Sequence, residues 1–535
     1  ENFYLLAVDP DGNDLKPLTK IEGVRTQIID DLEEDKEQMI VGLNQRNPQL
    51  FDPYRLNIKT GDLELIMENP GNITGWMTDH DGKLRVAMTS DGVNTSLLYR
   101  DTEDQPFETI LTTSFKETLS PEFFTFDNKK LYASSNLGRD KTAIVIFDPK
   151  TGKEEKLLYE DPDFDVSGLG YSRKDKKLTA VSYTGIKHKY HFFDEERKAM
   201  HANLQKKLPE MEIYFVSRND DEDKFIVRTH SDKSLGAYSL YDKASGELTF
   251  IGNTAPWLEG KQMASATPIK YQSRDGLTIH GYLTLPAGYD IDSAKNLPVV
   301  VNPHGGPWAR DTWGFNPEIQ LMANRGYAVL QMNFRGSTGF GRKFWEASFR
   351  EWGKKMQDDV TDGVNWLIEK GIADKDRVAI YGASYGGYAT LAGMAFTPDV
   401  YACGIDYVGV SNLFTFMGTI PPYWEPFKKM MYEMVGDPED EKDSEMLRAA
   451  SPVFHADKIT SPLFVAQGAK DPRVNVDESD QMVAAMKKRG VEVEYMVKEN
   501  EGHGFRNEEN RFEFYRAMEE FLDNHLKNAA EKAEV

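Results

Sequence analysis

Cysteine is almost missing: the 535 residues include one, Cys403, so no disulfide can form within the chain. It lies in the apolar run 401–408, where it reads as a small buried hydrophobe. Long apolar runs are also missing, and no segment is long enough to span a bilayer as a helix. Positive charge is in deficit. Lys and Arg total 64 against 87 Asp and Glu, a net charge of −23. That balance argues against nucleic acid or an anionic membrane as a partner. No signal peptide is present, and the start, Glu1 to Asp9, reads as the middle of a β unit. A leader or further N-terminal sequence removed from the chain is therefore expected, and cytoplasm, periplasm and secretion all stay open as compartments. Clusters at metal-ligand spacing are lacking. His188, His191 and His201 fall close together but without a nearby Cys/Asp cluster at ligand spacing, so neither metal nor cofactor is implied.

What is present divides into two patterns. Residues 1–260 carry short β runs separated by turn signals. One turn, Asp/Asn-x-x-x-Gly, recurs at Asn57 to Gly61, Asp148 to Gly152 and Asp242 to Gly246. A second type alternates with it, at Asp79 to Gly82, Phe126 to Lys129 and Ser172 to Asp175, where a hairpin would reverse. Equivalent turns recur about every 40–47 residues, the period of a four-stranded propeller blade. An irregular period leaves an array of β-sandwiches as the alternative. Blade counting ends in a half blade at the N-terminus, so the expected propeller is incomplete. One insertion, 194–208, carries charge all round and reads as a solvated surface helix.

Residues 261–535 alternate strands with helices, the pattern of an α/β domain with a mostly parallel sheet. Eight strands are expected, at 267–273, 277–285, 298–302, 327–333, 378–381, 402–408, 462–467 and 491–497. Helices are expected at 317–324, 356–370, 388–395, 476–489 and 507–530. Between the fifth strand and the third of these helices stands Gly382-Ala383-Ser384-Tyr385-Gly386, a G-x-S-x-G sequence. Strand, tight turn and helix in that order make a nucleophile elbow, and eight strands with the serine after the fifth is the α/β-hydrolase arrangement.

Chain order then leads to an acid and a histidine. Asp471 follows the seventh strand, with Asp477 and Asp480 as rival acids. His503, between Gly502 and Gly504, follows the eighth, with His455 as its rival. Ser384 as nucleophile, His503 as general base and Asp471 as its orienting acid form the expected triad. After the third strand, His304-Gly305-Gly306-Pro307 matches an oxyanion loop, and the N–H groups of Gly306 and Tyr385 are the expected donors.

Together with Asn333 to Gly341, Asp471-Pro472-Arg473-Val474 and Glu501 to Gly504, these motifs make the chain resemble the prolyl oligopeptidase family of serine peptidases, most closely its acylaminoacyl-peptidase branch. The likeness covers the second half by motif and the first half by architecture. It implies a triad of Ser384, Asp471 and His503, with oxyanion positions at Gly306 and Tyr385. It also implies that Arg473 binds a substrate carbonyl and that Val410 and Phe416 line the first specificity pocket, where Leu413 stands in place of an aromatic residue. The glutamate pair by which the family's dipeptidyl peptidases hold a free amine has no clear match. Glu195-Glu196 and Glu33-Glu34 lack its neighbouring residues.

The function expected is hydrolysis of short peptides, of oligopeptidase, acylaminoacyl- or dipeptidyl-peptidase type, through an acyl-enzyme. The partner is a short peptide or small acylated substrate, and a homo-oligomer is compatible with the sequence. A carboxylesterase on the same triad is the alternative. A non-catalytic binding protein built on the propeller is a third reading, opposed by the triad and oxyanion loop.

Overall fold

The computed structural model describes residues 3–33, 35–259 and 261–527. Glu34 of the second glutamate pair, and the last part of the final expected helix, lie outside them. The chain divides into two compact units between Pro162 and Asp163.

In the first unit, a small hairpin, Leu6–Ala7 with Lys16–Pro17, precedes three four-stranded antiparallel meanders. They begin at Thr26, Ile73 and Leu119, and in each of them neighbours in sequence are neighbours in the sheet. The Asp/Asn-x-x-x-Gly turns join third strands to fourth. At Asn57 the side-chain oxygen accepts the N–H groups of Lys59 and Thr60, and the backbone carbonyl accepts from Gly61 at 2.8 Å. Gly152 shows why glycine closes such a turn. Its φ is +66°, and a Cβ there would stand 2.6 Å from the Ile110 carbonyl oxygen. The second turn type joins first strands to second, so the alternation in sequence is the alternation of hairpins.

The second unit opens with two more antiparallel sheets. Leu169–Ser172, Lys177–Thr184 and His188–Phe192 make three strands, and Glu212–Arg218, Lys224–His230, Ala237–Asp242 and Leu248–Asn253 make four. Between them the chain forms the helix Glu195–Lys207, capped at Asp194. It departs from the solvated helix expected, because Met200 and Leu204 are buried against Ile213, Phe225 and Tyr241. Two apolar residues four apart suffice to dock a helix whose remaining faces are charged.

An eight-stranded sheet follows: β1 (Ala266–Gln272), β2 (Thr278–Thr284), β3 (Leu297–Val301), β4 (Ala328–Asn333), β5 (Ala373–Ala383), β6 (Cys403–Tyr407), β7 (Leu463–Gly468) and β8 (Val493–Lys498). Its order is β1-β2-β4-β3-β5-β6-β7-β8, antiparallel at β1 and β2 and parallel from β4 to β8. Strands covered on both faces must be apolar throughout, as all five buried residues of β3 are. Helices α1 (Pro317–Asn324), α2 (Lys355–Glu369), α3 (Tyr385–Phe396) and α4 (Val476–Lys488) lie in crossovers between strands, and α5 (Glu508–Leu522) follows β8. Asn316 caps α1 by accepting from Glu318 and Ile319, with Pro317 at the first position. Val300, Tyr381, Ile405 and Phe464 form one core with Phe514 and Phe521 of α5. Cys403 lies within it, fully buried, and burial pushes its thiol pKa up.

Two helix ends differ from expectation. α3 starts at Tyr385, earlier than 388, because Gly386 and Gly387 are helical despite their poor propensity. α5 stops at Leu522 and passes into a π turn, Asp523–Lys527. Short helices between Leu413 and Lys458 have no counterpart in the expected list. Among the described residues, no helix is long and apolar enough to cross a membrane.

Candidate active site

Ser384 stands between β5 and α3 with φ +59° and ψ −118°, a conformation that costs an L-residue energy and is held by its surroundings. Its N–H donates to the Tyr407 carbonyl at 2.9 Å, and its carbonyl accepts from Tyr388 at 3.0 Å. The flanking glycines are packed backbone to backbone. A Cβ on Gly382 would lie 2.3 Å from the Gly386 oxygen, and one on Gly386 would lie 2.2 Å from the Pro303 oxygen. Tyr385 opens the helix, so its N–H has no intrahelical acceptor.

Beyond β7, Asp471 is buried. Its Oδ1 accepts the N–H groups of Arg473 at 2.9 Å and Val474 at 3.0 Å. Its Oδ2 meets His503 Nδ1 at 2.7 Å. Of the rival acids, Asp477 is exposed and Asp480 accepts from the Tyr495 hydroxyl at 2.7 Å. The rival His455 packs against Phe396 instead. The loops carrying Asp471 and His503 lie against each other. Lys470 N–H donates to the Glu501 carbonyl at 2.9 Å, and a Cβ on Gly468 would fall 2.1 Å from the Gly502 oxygen. The Glu501 carboxylate braces the histidine loop from below. Burial opposes its charge, but the N–H groups of Arg506 and Asn507 and the Asn510 amide outweigh that and hold its pKa below the usual range.

The loop after β3 runs beside the elbow. A Cβ on Gly305 would lie 3.0 Å from the Ala383 oxygen and 3.5 Å from Ser384 Cβ. His304 holds this loop in shape. Its Nδ1 contacts the Gly305 carbonyl at 2.7 Å and its Nε2 the Ser337 hydroxyl at 2.8 Å. A carbonyl can only accept, so Nδ1 carries the proton and Nε2 accepts from Ser337. Burial lowers the His304 pKa to about 4, so the ring is neutral. It stacks on Phe334 at 4.3 Å. Gly306 follows with φ +124°, and its N–H is given to no described acceptor.

Arg473 is exposed, and its guanidinium makes no hydrogen bond or ion pair with a described residue. Val410 and Phe416 are buried, 2% and 6% exposed, in the segment after β6. Phe416 stacks on Trp352 at 6.3 Å, and Trp352 meets the Tyr385 ring edge-on at 4.6 Å. The Glu195-Glu196 pair is turned to other work. Glu195 pairs with Lys198, and Glu196 pairs with Lys243.

Three contributors were missed by sequence reasoning. Glu478 on α4 is buried and accepts the N–H groups of Ser411 and Asn412 at 2.9 and 2.8 Å, so it fixes the segment bearing Val410 and Phe416. Burial raises its pKa. Trp352 carries no sequence signal. Asp406, at the end of β6, is enclosed beneath the elbow, where a Cβ on Gly387 would lie 2.4 Å from its Oδ1. Burial pushes the Asp406 pKa up to about 7. Among the described residues, no group of three or more His, Cys, Asp or Glu is arranged to hold a metal ion.

Residues 313–529 match the sequence pattern of the prolyl oligopeptidase family (Peptidase_S9). The chain is 38% identical over 546 residues to dipeptidyl aminopeptidase BIII of Pseudoxanthomonas mexicana, covering 99% of this chain and 78% of that protein. It is 29% identical over 219 residues to the acylamino-acid-releasing enzyme of Arabidopsis thaliana, covering 40% of this chain and 28% of that one. Among solved structures, puromycin hydrolase superposes with a TM-score of 0.76 at 20% identity, covering 98% of this chain and 83% of that chain. At that identity the likeness is one of fold: a five-blade β-propeller region followed by an α/β-hydrolase domain.

Proposed function

The chain belongs to the prolyl oligopeptidase family of serine peptidases, and on that premise we propose that Ser384 cleaves short peptides through an acyl-enzyme, with His503 as its base and Asp471 behind the base. The observation that carries this reading is the 2.7 Å contact between His503 Nδ1 and Asp471 Oδ2, which leaves Nε2 of the imidazole as the proton acceptor. Ser384 Oγ attacks the peptide carbonyl carbon as its proton passes to His503 Nε2. The oxyanion forms against the N–H groups of Gly306 and Tyr385, each worth about 3–4 kcal/mol in the transition state. Collapse breaks the C–N bond, and His503 hands its proton to the leaving amine. A water, deprotonated by His503, then releases the acyl group and restores the serine hydroxyl. Arg473, whose guanidinium has no hydrogen bond or ion pair with a described residue, suits a substrate carbonyl because a guanidinium offers several donors in a fixed plane. Val410 and Phe416 form the apolar wall for the side chain before the cleaved bond.

We favour dipeptidyl release over acylamino-acid release. The relative matched along nearly the whole chain is named a dipeptidyl aminopeptidase, whereas the acylamino-acid-releasing relative matches less than half of it. Matched dipeptidyl amides, one with a free amine and one N-acetylated, test this, with a p-nitrophenyl ester alongside and Ser384→Ala as control. Faster turnover of the free amine is expected. Faster turnover of the acetylated amide would give the site to acylated peptides. Ester turnover without amide cleavage would make it an esterase.

A further inference from the structure

The second unit contains a cavity of roughly 240 Å³, lined by Thr184, Lys187, His188, Glu212, Arg228 and Trp313 among others. It is more than ten times the space a single water needs, so it can take an organic group. Its chemistry is lopsided. The Arg228 guanidinium makes no hydrogen bond or ion pair with any described residue, and its Nε is fully enclosed. The enclosed His188 Nε2 likewise has no hydrogen-bond partner among the described residues. Lys187 adds a second cation, its Nζ 3.8 Å from the centre of the Trp313 ring. One carboxylate lines the cavity, and both of its oxygens already accept. Glu212 Oε1 takes the His188 N–H at 2.8 Å, and Oε2 takes the Tyr214 hydroxyl at 2.7 Å. Glu212 forms no ion pair with Arg228 within 4.0 Å among the described residues.

An enclosed guanidinium Nε with no acceptor is costly until an anion meets it. Its planar fork matches the two oxygens of a carboxylate. We propose that this cavity is a carboxylate-binding site, with Arg228 as the bidentate anchor, Lys187 as the second charge and the His188 ring nitrogen closing the third side. Gly314 helps set its shape, since a Cβ there would stand 2.3 Å from the His230 ring. Thr312 and Trp313 of the lining lie on the segment that continues from Gly306, so the site is continuous in sequence with the oxyanion loop. The carboxylate comes either from an acidic side chain of a peptide substrate or from a small free dicarboxylate.

The test uses the full chain carrying Ser384→Ala, so that binding is read without turnover. Calorimetric titration compares glutarate with tetrapeptide amides that carry Glu or Gln at each position in turn. The peptide arm rests on the peptidase reading; the glutarate arm does not. Absence of Ser384-dependent hydrolysis would refute that reading without touching the glutarate result. A charge-assisted bidentate contact predicts that Glu at one position binds about tenfold or more tighter than Gln. Arg228→Gln is expected to abolish that preference, and Arg228→Lys to retain part of it. Glutarate binding without peptide discrimination, lost in Arg228→Gln, would assign the site to the free acid. If Arg228→Gln does not fold, Arg228→Lys and Lys187→Gln carry the comparison. The proposal is overturned if neither glutarate nor any Glu peptide binds with preference. It is also overturned if the preference survives Arg228→Gln, or if butylamine binds more tightly than glutarate, which would hand the cavity to Glu212.

Discussion

Replacing Arg310 by Met should slow catalysis even though Arg310 is four residues past the proposed oxyanion donor, Gly306. The Arg310 guanidinium donates to the Thr184 carbonyl at 3.1 Å and to the Gly185 carbonyl at 2.9 Å. It also lies 4.4 Å over the Phe340 ring, and a Cβ on Gly339 would collide with it at 2.4 Å. The loop that leaves Ser384's side is thereby pinned to the hairpin between Lys177–Thr184 and His188–Phe192. Two hydrogen bonds from a charged donor, partly replaced by water, and one cation–π contact are together worth about 2–4 kcal/mol of stability. Arg310→Met keeps the length of the stem and removes the donors. Two anchors of the same loop remain, Thr338 N–H on the Ala309 carbonyl at 2.9 Å and Asp311 N–H on Asn333 at 2.8 Å. Gly306 is therefore displaced rather than released. Complete loss of one oxyanion donor costs a hundred- to thousandfold in kcat, so about ten- to hundredfold is expected here, with KM little changed. Steady-state kinetics on a short peptide amide, with a melting curve for each variant, provide the readout. Arg310→Lys should not restore the rate, because one ammonium cannot span both carbonyls. A lowered melting temperature with kcat unchanged would refute the reasoning and make Arg310 a staple only.

Asp471→Asn should lower kcat by about 10⁴ on the same substrate, since the amide would hold His503 in the wrong tautomer. An unchanged rate would remove Asp471 from the mechanism. Gly386→Ala drives a methyl group to 2.2 Å from the Pro303 oxygen and should cost both melting temperature and Ser384 reactivity, read by phosphonate labelling. Asp406 titrates from a pKa of 3.8 when unfolded to about 7 when folded. Between those values the folded chain holds the extra proton, so stability falls as pH rises and reaches its floor above 7. Asp406→Asn removes a gap of about three units, worth about 4 kcal/mol, so it should raise the melting temperature at about pH 8 and not at about pH 4. An equal effect at both values would contradict the burial argument.

Seven of the eight α/β-hydrolase strands were legible to within two residues because each is a short apolar run closed by turn residues, as 298–302 and 462–467 are; the strand Ala373–Ala383 begins five residues before the expected 378, because its start, Asp374 to Arg377, is charged and carries no apolar signal. The blade hairpins were legible from glycines such as Gly61 and Gly152, whose positive φ is a local demand. The pairing of Asp471 with His503 followed from chain order. Interactions between distant segments left no such trace. Glu478 bracing Ser411, Trp352 beside Tyr385 and Asp406 beneath Gly387 are long-range packing, and nothing in a window of sequence marks them. The Glu195–Lys207 helix misled for a related reason: its charges were visible, but the partners that bury Met200 and Leu204 were not.

The most direct test of the central claim is to treat the full chain with a peptidyl diphenyl phosphonate, locate the label by mass spectrometry, and measure peptide-amide hydrolysis in parallel. The account predicts a single label on Ser384, loss of hydrolysis in step with labelling, neither reaction in Ser384→Ala, and slow labelling in His503→Ala. Undiminished peptide hydrolysis by Ser384→Ala, or a label carried by any other residue, would contradict it.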